Sequence, residues 1–324
     1  MHENQILPAR ASSPIPAPSD WRIVLSSDFP SSSALAAPAS MARVDPISNG
    51  RSPEILRVVG WESLHWLRHG FSTRSGGVSR LLPEKPDTGE LNLGFTASDN
   101  AAAVIENRNL FSRALLLSSG HGSAAAIPDK PFGMVTLKQM HSSLVRRVAA
   151  LDAADRAVLW GDGLITREPG LLLGIQTADC LPVLVVDRKQ HAVGAFHAGW
   201  RGTLKGIVER GIREMGTEFG SVPEDLTAAI GPGIGKCCFQ VGAEVKRHFA
   251  AKFSYAEALF SWSDGLKLDL VEANRQQLLA AGVRAEEIHN LTECTRCRTD
   301  RFFSYRAEHG TTGRMMAAIG MLAE

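Results

Sequence analysis

The stretch 161–202 constrains the fold more than any other part of the chain. Two apolar runs, 171–175 (LLLGI) and 182–186 (PVLVV), are joined through T-A-D-C at 177–180, and the stretch closes on H-A-G-W-R-G at 197–202. Runs of that length bounded by turn residues read as buried strands. Cys180 and His197 therefore each stand where an apolar strand gives way to a small-residue turn. Strand backbone fixes side chains better than a loop does, so a thiol and an imidazole at two such ends can converge on one point.

Elsewhere strands and helices alternate only loosely. Strand patterns occur at 71–79, 134–141, 226–230, 287–291, 302–306 and 315–321, and helix patterns near 98–115, 203–216, 241–253 and 268–281. In the clearest helix, opened by Thr203, the residues Leu204, Ile207, Val208, Ile212 and Met215 form one apolar stripe, and Gly216 is placed to end it. Several strands follow each other directly. A mixed sheet or pair of sheets with helices packed outside fits this order better than a purely parallel winding. Residues 1–53 are rich in Pro, Ser and Ala without a sustained period and read as a disordered extension, leaving 54–324 as a single domain.

Composition excludes some classes. The 324 residues carry a net charge of +1 with no long Lys/Arg run, so nothing asks for a nucleic-acid groove or an anionic membrane surface. Apolar runs break well short of the roughly 18 residues a membrane-spanning helix needs. The five cysteines, at 180, 237, 238, 294 and 297, are poor material for a disulfide framework and point to a reducing compartment. With no signal-peptide pattern at the N-terminus, a cytoplasmic location is expected.

His141 ends the strand pattern at 134–141. With Cys180 and His197 it supplies two imidazoles and a thiolate, the ligand set of an open catalytic zinc whose fourth position is left for water or substrate. Such an ion lowers the pKa of its water to about 7. The same residues also read as a small buried thiol and two histidines bonded into strand ends. In the turn 198–202, Arg201 beside a helix N-terminus suits a phosphate or carboxylate, although Gly199 and Gly202 could equally just shape the turn. Asp162 and Asp179 flank the central turns as candidates to orient a ligand or move protons, or as plain turn carboxylates. G-P-G-I-G-K at 231–236 lacks the spacing of a nucleotide-phosphate loop and reads as a turn packed on the core. Cys237, Cys238, Cys294 and Cys297 could make a four-thiolate site, but a vicinal pair serves one ion poorly and a packing role is favoured.

The motifs T-A-D-C-L-P (177–182) and H-A-G-W-R-G (197–202) resemble the two signatures of the YfiH family of laccase-like polyphenol oxidase proteins. The resemblance runs in order over about 55–324, through S-T-R-S-G-G-V-S (72–79), L-N-L-G (91–94), Q-M-H (139–141), G-D-G (161–163), F-F-S-Y-R (302–306) and T-G-R-M (312–315). It implies an α+β fold with a sandwich-like core of mixed β-sheets flanked by helices, related to a bacterial toxin deamidase. It also implies zinc on His141, Cys180 and His197, which with Asp179 are the expected catalytic residues. The expected substrate contacts are Arg74, Gln139, Arg201 and Arg306. The implied activities are phosphorolysis of adenosine, inosine and methylthioadenosine, with purine nucleosides and phosphate as partners, and adenosine deamination. Ser142 departs from the family by standing where Gly usually follows the first His.

Three other readings keep a place. Copper-dependent oxidation of phenols is the older family attribution. A multicopper centre, however, consumes many closely spaced histidines, and this chain has ten, with His65 and His69 the tightest spacing. Copper could still bind a single soft-ligand site. A metal-free hydrolase would use Cys180 as nucleophile with a His base. A non-enzymatic nucleoside-binding or structural zinc module is the third; a structural site would be closed with four protein ligands, and His141, Cys180 and His197 make only three.

Overall fold

The structure, a computed structural model, describes residues 53–81, 89–117, 133–149, 159–291 and 293–322. The expected extension 1–53 thus lies outside the described residues except for its last position. The strands in chain order are β1 (Ile55–Leu56), β2 (Leu67–Ser72), β3 (Ser75–Ser79), β4 (Gly133–Thr136), β5 (Val145–Arg147), β6 (Gly163–Thr166), β7 (Leu171–Thr177), β8 (Leu181–Asp187), β9 (Ala192–Ala198), β10 (Leu226–Ile230), β11 (Phe260–Trp262), β12 (Leu266–Leu268), β13 (Ile288–Asn290) and β14 (Met315–Met321). The helices are α1 (Ala101–Leu117), α2 (Trp200–Lys205), α3 (Ile207–Phe219), α4 (Ala243–Lys252) and α5 (Leu270–Ala280). None is long and apolar enough to cross a membrane.

Two mixed sheets stack face to face. One has the order β1-β2-β14-β7-β4 and the other β13-β10-β8-β9-β6-β5, while β11 and β12 form a separate hairpin. Strand alternation divides the apolar side chains among three layers. Leu173, Ile175, Ala317 and Ile319 of the first sheet meet Leu184, Val186, Val193 and Ala195 of the second. Alternate residues of the same strands face outward: Leu172, Met316 and Ala318 pack on Phe111 and Leu115 of α1. On the far side Val183, Val185 and Phe196 pack on Ile207, Val208, Ile212 and Met215 of α3. Strands buried on both faces explain the near-continuous apolar runs in the sequence. The fold is α+β.

Some local expectations are corrected. The helix after His197 starts at Trp200 and is split at Gly206, whose φ of 79° is left-handed, a conformation that favours glycine. Its second half runs through Gly216 and is capped instead by Gly220, also left-handed at φ 73°. The segment 302–306 is a turn, not a strand, because Ser304 and the Arg306 amide bond the Asp179 carboxylate. The turn 231–236 does pack on the core: a Cβ at Gly231 would sit 2.2 Å from the Phe71 ring.

Candidate active site

β7 runs into a tight turn, Ala178–Cys180, before β8, and β9 runs into α2, so Cys180 and His197 emerge at the same edge of the sandwich. His141 reaches that edge from the segment after β4. The Gln139 side chain continues the pairing of that segment with β7, its amide donating to the Gln176 carbonyl and its oxygen accepting the Gln176 N–H, both at 2.8 Å. His141 itself has φ 57°, a strained conformation for a non-glycine residue, and its carbonyl accepts from Lys205 Nζ of α2 at 2.9 Å.

The ligand atoms of His141, Cys180 and His197 all lie within 4.8 Å of one another. Cys180 Sγ is 3.9 Å from His141 Nε2, and the two rings meet edge-on with centroids 4.9 Å apart. Gly199 closes the back: a Cβ there would come within 2.8 Å of Cys180 Sγ and 3.1 Å of His141 Cδ2. Behind the cluster lies Asp162, fully buried. It accepts from His197 Nδ1 at 2.8 Å, from the backbone N–H of His141 at 2.9 Å, and from both the N–H and hydroxyl of Ser142 at 2.6 Å. With Nδ1 committed to a carboxylate, His197 has Nε2 left for an ion.

The cluster favours a cation electrostatically. Burial alone would raise the Cys180 thiol, but the charge of His197 and hydrogen bonds to both histidines outweigh it and bring the thiol down to about 6. Burial opposes a charged His197, yet the Cys180 thiolate and the Asp162 hydrogen bond hold it up at about 9. Asp162 is likewise opposed by burial, and its bonds from His197 and Ser142 hold it down at about 2. Two imidazole nitrogens and an easily formed thiolate, backed by a buried carboxylate, fit a zinc-class ion.

One side of the cluster opens on a cleft of about 590 Å³, within the usual range for a small-molecule site. Its walls include Gln139, Asp179, Trp200, Phe239 and Tyr305, together with Arg201, Arg306 and Arg314. Arg201 stacks on Trp200, its Cζ 4.3 Å from the ring centroid, and has no ion pair among the described residues. α2 is too short for its N-terminus to count as an anion site, so Arg201 alone carries that expectation. The Arg306 guanidinium donates to the Gln240 carbonyl at 3.1 Å through Nη1 and has no ion pair among the described residues.

Three expected roles change. Arg74 is not among the cleft-lining residues; it is buried, paired with Glu90 at 2.6 Å and Glu308 at 3.0 Å. Asp179 borders the cleft but its carboxylate is taken: Oδ1 accepts from Thr295 and Ser304 and Oδ2 from the Arg306 N–H, all within 2.8 Å. It braces the wall instead of standing ready to move protons. Gln139 has both amide atoms engaged with Gln176 and positions His141 more than it meets a ligand. Ser142 does not line the cleft, since its side chain turns back to Asp162. Arg314, absent from the expected site, lines the cleft and hydrogen-bonds the carbonyls of Thr312 and Gly313. Its signal in the sequence is the T-G-R-M motif at 312–315, of which it is the arginine.

Fold and site together define the class: an α+β protein with a His–Cys–His cluster at the sheet ends, open to a cleft of small-molecule size. A family model described as multi-copper polyphenol oxidoreductase laccase matches residues 68–322, and the chain belongs to that family, which includes the YfiH proteins. "Purine nucleoside phosphorylase YlmD" of Geobacillus stearothermophilus is 35% identical over 278 residues, covering 81% of this chain and 97% of that protein. "Adenosine deaminase RL5", from an unknown prokaryotic organism, is 33% identical over 256 residues, covering 73% of this chain and 97% of that one. The crystal structure of YlmD from Geobacillus stearothermophilus superposes with a TM-score of 0.71 at 34% identity, covering 85% of this chain and 97% of that chain. The names of these relatives mark a family that processes purine nucleosides.

Proposed function

We propose that this chain is a zinc-dependent purine nucleoside enzyme that phosphorolyses adenosine, inosine and methylthioadenosine and deaminates adenosine. The observation that carries this reading is the shared cleft: a soft three-ligand cluster and three arginines open on one cavity sized for a nucleoside with phosphate. His141, Cys180 and His197 would hold the ion. When bound, zinc supplies Lewis acidity at neutral pH.

The remaining work falls to the chain. Asp162 keeps His197 in one tautomer and orientation. Arg201, Arg306 and Arg314 bind and orient phosphate against the ribose, which converts a bimolecular attack into a positioned one. Trp200, Phe239 and Tyr305 give the purine apolar and aromatic faces.

The test is product analysis on zinc-loaded protein given adenosine, with and without inorganic phosphate. Adenine that appears only with phosphate, alongside inosine formed in both conditions, is the expected result. Inosine alone removes the phosphorylase half. Neither product, with zinc bound, removes the reading. A copper-based oxidation of phenols would have to run on a single site, because the other ligand cluster among the described residues contains no histidine.

A further inference from the structure

We infer that Cys237, Cys238, Cys294 and Cys297 form a second, four-thiolate zinc site, separate from the cleft cluster, that clips together the two loops forming one wall of the cleft. The four sulfurs lie within 4.8 Å of one another, with Cys237–Cys297 at 3.6 Å and Cys238–Cys297 at 3.4 Å. Tetrahedral coordination with zinc–sulfur bonds of about 2.3 Å sets adjacent sulfurs about 3.8 Å apart. The spacing is therefore close to that of a coordination shell, and all the cysteines are free thiols.

The objection to a vicinal pair rests on strand geometry, where successive side chains point to opposite faces. Cys237 and Cys238 lie instead in a hydrogen-bonded turn, the Cys238 N–H donating to the Gly235 carbonyl at 2.9 Å. That turn delivers both sulfurs to Cys297. The other two cysteines occupy a second turn, closed by the Arg298 N–H on the Cys294 carbonyl at 3.1 Å. The surroundings suit a thiolate: the Gly235 N–H donates to Cys294 Sγ at 3.2 Å. A backbone donor of this kind supports metal-bound sulfur. Four protein ligands make a closed, structural site.

Its place gives it a purpose. The first loop carries Ile234 and Phe239 into the cleft, and the second leads to Tyr305 and Arg306. Thr295, between the two cysteines of the second loop, holds Asp179 at 2.7 Å. The ion thus braces the wall that meets the His–Cys–His cluster at Asp179, next to Cys180, and it does so whatever reaction the cleft performs.

The test uses the full chain, purified anaerobically under reducing conditions and supplied with zinc alone, with the bound metal counted by mass spectrometry after gel filtration. Wild type is expected to hold one equivalent more than the C294S/C297S variant. The H141A/H197A variant is expected to keep one equivalent and, loaded with cobalt(II), to show the intense sulfur-to-metal charge transfer of a tetrahedral thiolate site. That variant leaves all four cysteines in place, so it decides the question even if C294S/C297S does not fold. An H141A/H197A protein with no bound metal, or one whose cysteines are isolated as disulfides under these conditions, overturns the proposal. Neither outcome depends on the nucleoside assay.

Discussion

Asp162 Oδ1 accepts the His197 Nδ1 hydrogen bond at 2.8 Å and, at 2.9 Å, the backbone N–H of His141. One buried carboxylate therefore positions both imidazole-bearing segments, one lying between β4 and β5 and the other at the end of β9. An amide in its place presents donors where the carboxylate accepts. Asp162→Asn is expected to weaken zinc binding about 10–100-fold, the usual effect of losing a carboxylate behind a histidine ligand. Competition with a chelator of known affinity measures it. Unchanged affinity would mean that Asp162 serves only the turn at 140–142.

Gly199 tests the same cluster sterically. Its φ of −70° and ψ of 166° suit any residue, so Gly199→Ala introduces no backbone strain. The new methyl, however, would press on Cys180 Sγ at 2.8 Å and His141 Cδ2 at 3.1 Å. The expected outcome is at least a tenfold loss of zinc affinity with a thermal midpoint close to wild type in the metal-free protein. If the methyl were absorbed by small shifts, both quantities would stay put and the cradle would be looser than its distances imply.

How much of this was legible beforehand depends on range. His141, Cys180 and His197 could be picked out because each ends an apolar stretch, and strands 226–230 and 315–321 have the limits their patterns suggest. Asp179 could not be assigned its bracing role, because Thr295, Ser304 and Arg306 lie more than a hundred residues away in the chain. Arg74 and Arg201 look alike as isolated cations, and only long-range neighbours separate the buried one from the one facing the cleft. The break at Gly206 was hidden for another reason: the apolar stripe continues across it, so periodicity alone reads one helix.

That difference between the arginines is measurable. Arg74→Leu leaves Glu90 and Glu308 without their buried partner, and breaking a buried ion pair from one side destabilises by about 3–5 kcal/mol. Arg201→Ala removes an exposed cation and is expected to change stability by less than about 0.5 kcal/mol. The kinetic effects should be reversed: Arg201→Ala raises the KM for phosphate at least several-fold, while folded Arg74→Leu keeps it. Denaturant melts paired with phosphate titrations separate the two. A stable Arg74→Leu with weakened phosphate binding would put Arg74 back in the site.

His69 predicts how stability responds to acid. It is buried in β2, takes the Val58 N–H on Nε2 at 3.1 Å, and packs against Trp61. Burial first, then the charges of Arg57 and Arg68, push its pKa from 6.5 down to about 3. The sign follows from proton binding. Below pH 6.5 the unfolded chain takes up a proton that the folded chain refuses until about pH 3, so acid favours unfolding across that window. The loss approaches about 1.4 kcal/mol per pH unit well below the upper limit. Above pH 6.5 His69 is neutral in both states and contributes no slope. Asp162 and Glu287 also lose their stabilising effects in acid, below their ordinary values of 3.8 and 4.5. Both are common to wild type and a His69 variant, so the difference between the two proteins between about pH 6 and pH 4 reports the histidine. His69→Gln keeps an acceptor near Val58 and cannot titrate. Urea melts of metal-free protein across that range should show a stability difference between wild type and His69→Gln that shifts against wild type as pH falls. A difference that stays constant with pH would mean that His69 is protonated in the folded state.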